Sequence, residues 1–127
     1  MKRVTGIGGV FFKAKDPKAS GERYKTHPGM NVEVWGGVAF RWADDNPGVK
    51  GTTILNPFNE DTSYFAPSAA SFMINCRVGD LHTLLAKLRE EGCVVDEKVE
   101  ESEYGKFDWI QDPEGNKLEL WQPPEGQ

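Results

Sequence analysis

The sequence predicts an α+β fold in which one unit, a strand, a helix and three further strands, occurs twice. Three observations lead there. Asp16 and Asp80 each stand where an N-cap side chain opens a helix. Gly29 and Gly92 close those helices at nearly the same offset. Short β-branched and aromatic runs, bounded by Gly, Pro, Asn and Asp, fill the rest. The repeat spans about 60 residues and is carried by element order and caps rather than by residue identity.

Val4 to Lys15 reads as a strand, with Val10 and Phe12 on one face and Gly9, Phe11 and Lys13 on the other. The glycines from Gly6 to Gly9 lack the third glycine of a dinucleotide fingerprint and open no helix, so they mark a bulge or a close backbone approach. Asp16-Pro17, an N-cap followed by proline, starts a helix that runs to about His27 and stops at Pro28-Gly29. Asn31 to Trp35, Gly37 to Ala43 and Thr52 to Asn56 follow as three expected strands, with a turn at Asn46-Pro47-Gly48. Pro57 to Ala70 has no periodicity and reads as a linker.

The pattern then restarts. Ser71 to Val78 is an expected strand, and Asp80 caps a helix striped by Leu81, Leu84, Leu85 and Leu88. Lys87 and Arg89 suit its C-terminal end, and Gly92 stops it. Cys93 to Val99, Tyr104 to Gln111 and Lys117 to Gln122 complete the set, and acidic Glu97 to Glu103 is expected to be a solvated strand end and loop. In a single domain, module one covers about 4–57, the linker about 58–70 and module two about 71–122.

Composition bounds the function. A chain of 127 residues holds one small core, and a net charge of -5 without any basic run argues against a nucleic-acid groove. No apolar run approaches the ~20 residues that span a bilayer. Met1-Lys2-Arg3 leads into a glycine-rich strand rather than an apolar leader segment. Cys76 and Cys93 have no metal-like spacing and are expected to be buried thiols in a reducing compartment. A cytoplasmic protein is the expectation.

The most informative stretch is the last hairpin, Phe107 to Pro124. Asp112-Pro113-Glu114-Gly115-Asn116 is a turn: Pro113 presets φ, Gly115 supplies positive φ and Asn116 tolerates it. In the strand that follows, Leu118 and Leu120 point one way while Lys117, Glu119 and Trp121 point the other. This Asp-Pro-x-Gly-Asn-x-x-Glu-Leu hairpin resembles the signature of the vicinal oxygen chelate superfamily, which includes glyoxalase I, bleomycin- and fosfomycin-resistance proteins and extradiol dioxygenases. The resemblance implies two βαβββ modules that form a curved, open mixed-sheet cup, and homodimers. It also implies four metal ligands, mostly His or Glu, from the first and last strand of each module.

Matched to this chain, those four positions fall on Gly9, at or near Thr53, on Met73 and on Glu119. Only Glu119 keeps a ligand. Glycine, thioether and hydroxyl are poor partners for Zn, Ni, Mn or Fe, so the usual metal site is expected to be degenerate, with no cofactor. His82 falls on the outward side of the second helix and His27 at the end of the first, so neither restores the site.

Alternation groups Phe11 and Lys13 with Gly9, Asn75 and Arg77 with Met73, and Lys117 and Trp121 with Glu119. The resemblance implies that these faces share the cup, which makes Phe11, Lys13, Asn75, Arg77 and Trp121 candidate ligand-binding residues beside Glu119 for a small organic molecule. Two readings of Glu119 stand beside each other. In one it is a vestigial carboxylate neutralised by Arg77, Lys13 or Lys117 in a packed core. In the other it contacts a ligand amine or hydroxyl, or serves as a catalytic general base with a raised pKa. A binding module akin to the bleomycin-resistance proteins is the leading expectation. The alternative is a metal-dependent lyase, isomerase or dioxygenase of the glyoxalase type, with Glu119 as a metal ligand.

Overall fold

The computed structural model describes residues 2–127, and Met1 lies outside it. In chain order the elements are β1 (Val4–Ala14), α1 (Pro17–Thr26), β2 (Val38–Arg41), α2 (Trp42–Asp45), β3 (Thr52–Asn59), β4 (Phe72–Val78), α3 (Leu81–Glu90), β5 (Glu100–Ser102), β6 (Gly105–Gln111) and β7 (Lys117–Gln122). The strands form one mixed sheet in the order β2-β3-β1-β4-β7-β6-β5, curled into an open half-barrel. β1 pairs parallel with β3, and β4 parallel with β7. The two halves meet along the antiparallel β1–β4 pair, where Val10 faces Ile74. Each of these two residues lies six positions before its helix-capping aspartate, so the halves are related by a pseudo-twofold axis at that pair.

Helices α1 and α3 begin for the reasons their sequences give. Asp16 accepts from Ala19 N at 3.0 Å, and Asp80 from Thr83 N at 3.2 Å and Thr83 Oγ1 at 2.8 Å. The helices cover the convex face. Tyr24 of α1 meets Phe12 edge-on, and Leu81, Leu84 and Leu85 of α3 pack with Cys76, Val78 and Leu120. The opposite face lines the cup with Phe11, Phe65, Met73 and Trp109. Buried Asp108 points to the α3 side, where burial raises its pKa and Arg89 stands 3.6 Å away. Among the described residues no helix is long and apolar enough to cross a membrane.

Several expectations are corrected. Asn31 to Trp35 forms no strand: a tight turn with Gly36 at φ +97 leaves a single bridge between Val32 and Val38. The next strand ends at Arg41, because Trp42 N bonds Gly51 O and one helical turn follows. β3 runs on to Asn59 through Pro57, where β2 has already ended and the missing N–H leaves no gap in that ladder. Cys93 to Val99 contributes one bridge, Val95 to Ile110, and β5 starts only at Glu100. Cys93 is exposed just past the helix stop, although Cys76 is buried, and both thiols are free. Asn116 has no positive φ; it caps Asp112, its N donating to Asp112 Oδ1 and its amide to Oδ2.

The α3 stripe gives a direct check on this packing. Truncating fully buried Leu84 to Ala should cost about 2–5 kcal/mol of unfolding free energy, read from urea denaturation.

Candidate functional site

Strand register builds the site. Ile54, Gly9, Asn75, Glu119 and Trp109 stand side by side across five neighbouring strands, β3, β1, β4, β7 and β6. Glu119 is 1% exposed in the middle of this row. Trp109 Nε1 donates to its Oε2 at 2.9 Å and Asn75 Nδ2 to its Oε1 at 2.7 Å. Tyr64 O–H, from the segment between β3 and β4, donates to Oε2 at 2.5 Å. Three uncharged donors therefore surround a carboxylate that makes no ion pair among the described residues. Burial raises its pKa, and the bonds from Tyr64, Asn75 and Trp109, with the charge of nearby Lys117, only oppose that rise.

The expected cations are accounted for elsewhere. Lys117 Nζ donates to Tyr64 O at 2.8 Å and lies over the rings of Tyr64 and Trp109. Lys13 Nζ lies over Phe65 at 5.8 Å. Arg77 is held between the indoles of Trp42 and Trp121 and donates to the carbonyls of Thr52 and Gln127. Trp121 stacks on Phe107 and donates from Nε1 to Tyr104 O. Of the candidates named from sequence, Asn75 bonds Glu119 directly and Phe11 packs with Trp109 in the same cluster. Lys13, Arg77 and Trp121 make other bonds. The reading in which Arg77, Lys13 or Lys117 pairs with Glu119 gives way to one in which neutral donors hold it.

The glycine cluster has its reason here. β1 is irregular between Ile7 and Gly9, and a β-carbon on Gly8 would overlap Asn75 Oδ1 and lie 2.8 Å from Trp121 Cε3. Asn75 Oδ1 is itself buried without a hydrogen-bond partner. Rotating the Asn75 amide would turn this acceptor toward Glu119, which suits a protonated carboxyl.

Sequence placement of the four metal positions also needs correction. Thr53 lies off the cup face and its Oγ1 accepts from Trp42 Nε1 at 2.9 Å. Phe11, five residues before its capping aspartate as Asn75 is before its own, pairs with Asn56; the counterpart of Glu119 is therefore Asn56. The one-residue allowance around Thr53 failed because β3 continues past Pro57. Met73 pairs with Phe11 in the apolar cluster, two residues along the strand from Asn75, the residue beside Glu119.

Among the described residues, those gathered around Glu119 include no second carboxylate and no imidazole. The groups that meet its oxygens present N–H and O–H protons rather than lone pairs, and Gly9, Met73 and Asn56 add neither carboxylate nor imidazole. Among the described residues no three His, Cys, Asp or Glu gather. His82 faces Glu101 at the surface, and His27 is exposed at the end of α1.

Tyr64 and Phe65 are the residues that reading Pro57 to Ala70 as a linker missed. Phe65 is fully buried, and Tyr64 stacks on Phe58 at 5.4 Å and meets Trp109 edge-on at 6.2 Å. The signal was an adjacent Tyr-Phe pair inside an otherwise small and acidic stretch. A cavity of about 850 Å³ lies away from this cluster at the β2 edge between Met30, Phe40, Trp42 and Asp45. No buried titratable group lines it among the described residues.

No family profile matches the chain, and no curated protein does. Solved structures do. A variant of Streptomyces coelicolor methylmalonyl-CoA epimerase in complex with 2-nitronate-propionyl-CoA aligns at TM-score 0.72 and 18% identity over 98% of both chains. Methylmalonyl-CoA epimerase from Mycobacterium tuberculosis aligns at TM-score 0.67 and 22% identity over 98% of this chain and 91% of that one. A glyoxalase/bleomycin resistance protein/dioxygenase superfamily member from Vibrio splendidus 12B01 gives TM-score 0.58 and 16% identity over 89% and 95%. The chain has the vicinal oxygen chelate fold.

Two outcomes follow from this geometry. Gly8→Ala should destabilise the protein by about 1–3 kcal/mol in urea, since the new methyl must displace Asn75 or Trp121. Because the Glu119 pKa is raised in the folded state, its stabilising contribution is present in full below the ordinary glutamate value. It is lost as pH rises through the folded value. Glu119→Gln should remove that part of the slope, so unfolding free energy should fall less steeply in the variant than in wild type as pH is raised above the ordinary glutamate value of 4.5.

Proposed function

We propose that this chain binds a small organic molecule in the sheet cup at Glu119 without a resident divalent metal. The observation that carries this reading is the buried carboxylate met only by Tyr64, Asn75 and Trp109 donors. Such a group can accept a ligand hydroxyl or amine, and aromatic walls from Phe58, Phe107 and Trp109 supply flat apolar contact. Pairing into a homodimer belongs to the same reading, because Val34, Trp35 and Phe40 leave apolar surface exposed around β2.

A catalytic version is favoured by one specific feature. Glu119 has a raised pKa in a dry setting, which is what a general base working near neutral pH requires. Structures of this fold include epimerases bound to coenzyme A esters. Among the described residues that line the cup, Glu119 is the carboxyl suited to take a proton from a ligand and return it.

Elemental analysis of untagged protein, with thermal-shift titrations of Ni, Zn, Mn, Fe and Co salts, tests the reading. No bound metal and shifts within error are expected. About one ion per chain or per dimer would overturn it in favour of a glyoxalase-type lyase, isomerase or dioxygenase with Glu119 as a ligand.

A further inference from the structure

Tyr64 is partly exposed, whereas the carboxylate it covers is not. Its ring lies at 13° to Phe58 and at 90° to Trp109, and its hydroxyl ends on Glu119 Oε2. The backbone around it bonds mainly to itself. Thr62 N reaches Asn59 O, Ala66 N reaches Ser63 O, Ser68 N reaches Phe65 O, and Tyr64 N takes Thr62 Oγ1. Phe65 anchors this turn in the core, and Lys117 Nζ fixes the Tyr64 carbonyl. The Tyr64 side chain is held differently: one hydrogen bond and partly exposed ring contacts keep it in place. Release toward solvent would go through rotation about Cα–Cβ and would give up the ring contacts with Phe58, Phe65 and Trp109. Beside the turn, a small cavity of about 80 Å³ opens between Pro67, Trp109 and Lys117, so packing there is already incomplete.

We propose that the Tyr64 side chain occupies the ligand's place, and that the ligand is a flat ring bearing one O–H or N–H donor, which displaces Tyr64 and donates to Glu119. This rests on the metal-free binding reading and adds the ligand's chemical class. The recognition elements are those that now hold the phenol: the Phe58 face, the Trp109 edge, the Lys117 ammonium over the ring and the Glu119 oxygen. A ring without a donor would leave the Glu119 oxygen one partner short in a buried site, and a carboxylate-bearing ring would meet like charge.

The probes are 4-methylphenol and toluene, which share the tyrosine side-chain shape and differ in the hydroxyl. Calorimetric titration should show saturable binding of 4-methylphenol to wild type, with toluene at least about tenfold weaker, the value of one hydrogen bond to a carboxylate. Wild type gives up the Tyr64 O–H bond on displacement and Tyr64→Phe has none to give up, so the variant should bind 4-methylphenol about tenfold more tightly than wild type. Tyr64→Ala should bind it more tightly still. The chain has three tyrosines, so fluorotyrosine NMR reports displacement directly: the Tyr64 resonance, assigned by its absence in Tyr64→Phe, should move toward that of exposed Tyr104 on adding 4-methylphenol.

Any of these results overturns the proposal: no binding of 4-methylphenol to wild type, whether or not Tyr64→Ala binds it, equal affinity for toluene, or binding with the Tyr64 resonance unmoved. If Tyr64→Ala does not fold, wild type and Tyr64→Phe decide the matter. A metal found in the protein would defeat the binding reading without touching these outcomes, and metal-free protein that ignores both probes would defeat only the displacement.

Discussion

The buried carboxylate of Glu119 organises the cup of this molecule. Taking a carboxylate out of water has an effective penalty of several kcal/mol unless it is paired or well hydrogen-bonded. Glu119 has no ion-pair partner among the described residues, and three donors share that load, each from a different part of the chain. Asn75 arrives on β4, Trp109 on β6 and Tyr64 on the turn between the halves. The β4–β7 and β6–β7 registers must hold, Gly8 must stay bare, and the turn must dock before the charge is satisfied. Side chains elsewhere in the cup pack around this requirement.

The fold was legible because its signals are local. Asp16-Pro17 and Asp80 cap helices through bonds to residues three positions on, and the leucine stripe of α3 repeats within one helix. The last hairpin is fixed by Asp112 bonding its own turn. Elements decided by distant partners were read less well. Trp42 left the expected strand because Gly51 and Thr53 bind it, and β3 outran its expected end because β1 continues beside it past Pro57.

The site divides the same way. Alternation within each strand, joined through the two-module resemblance, put Phe11, Met73, Asn75 and Glu119 on one face, and the structure brings them together there. The donors from Trp109 and Tyr64 depend on pairing across β6–β7 and on a turn with no periodicity, neither of which one strand's pattern encodes. The same holds for Asn56, whose place opposite Phe11 follows from a parallel pairing and not from counting along the chain. In this fold the cup is built from side chains on rigid, paired strands. Its chemistry therefore changes with single residues while its backbone does not.

The row of residues across the sheet also bears on how the chain reaches this state. The three donors to Glu119 lie 10, 44 and 55 residues from it in sequence. Only the first is within reach of a local hairpin. Until β4 has slotted in parallel beside β7 and the 60–70 turn has closed, burying Glu119 is unfavourable, so partly assembled sheets keep it in water. Loop-closure entropy for the two long connections is lost before the carboxylate gains its partners. The site residue thus disfavours half-formed intermediates, and assembly becomes slower but closer to all-or-none than the helices and hairpins alone would make it.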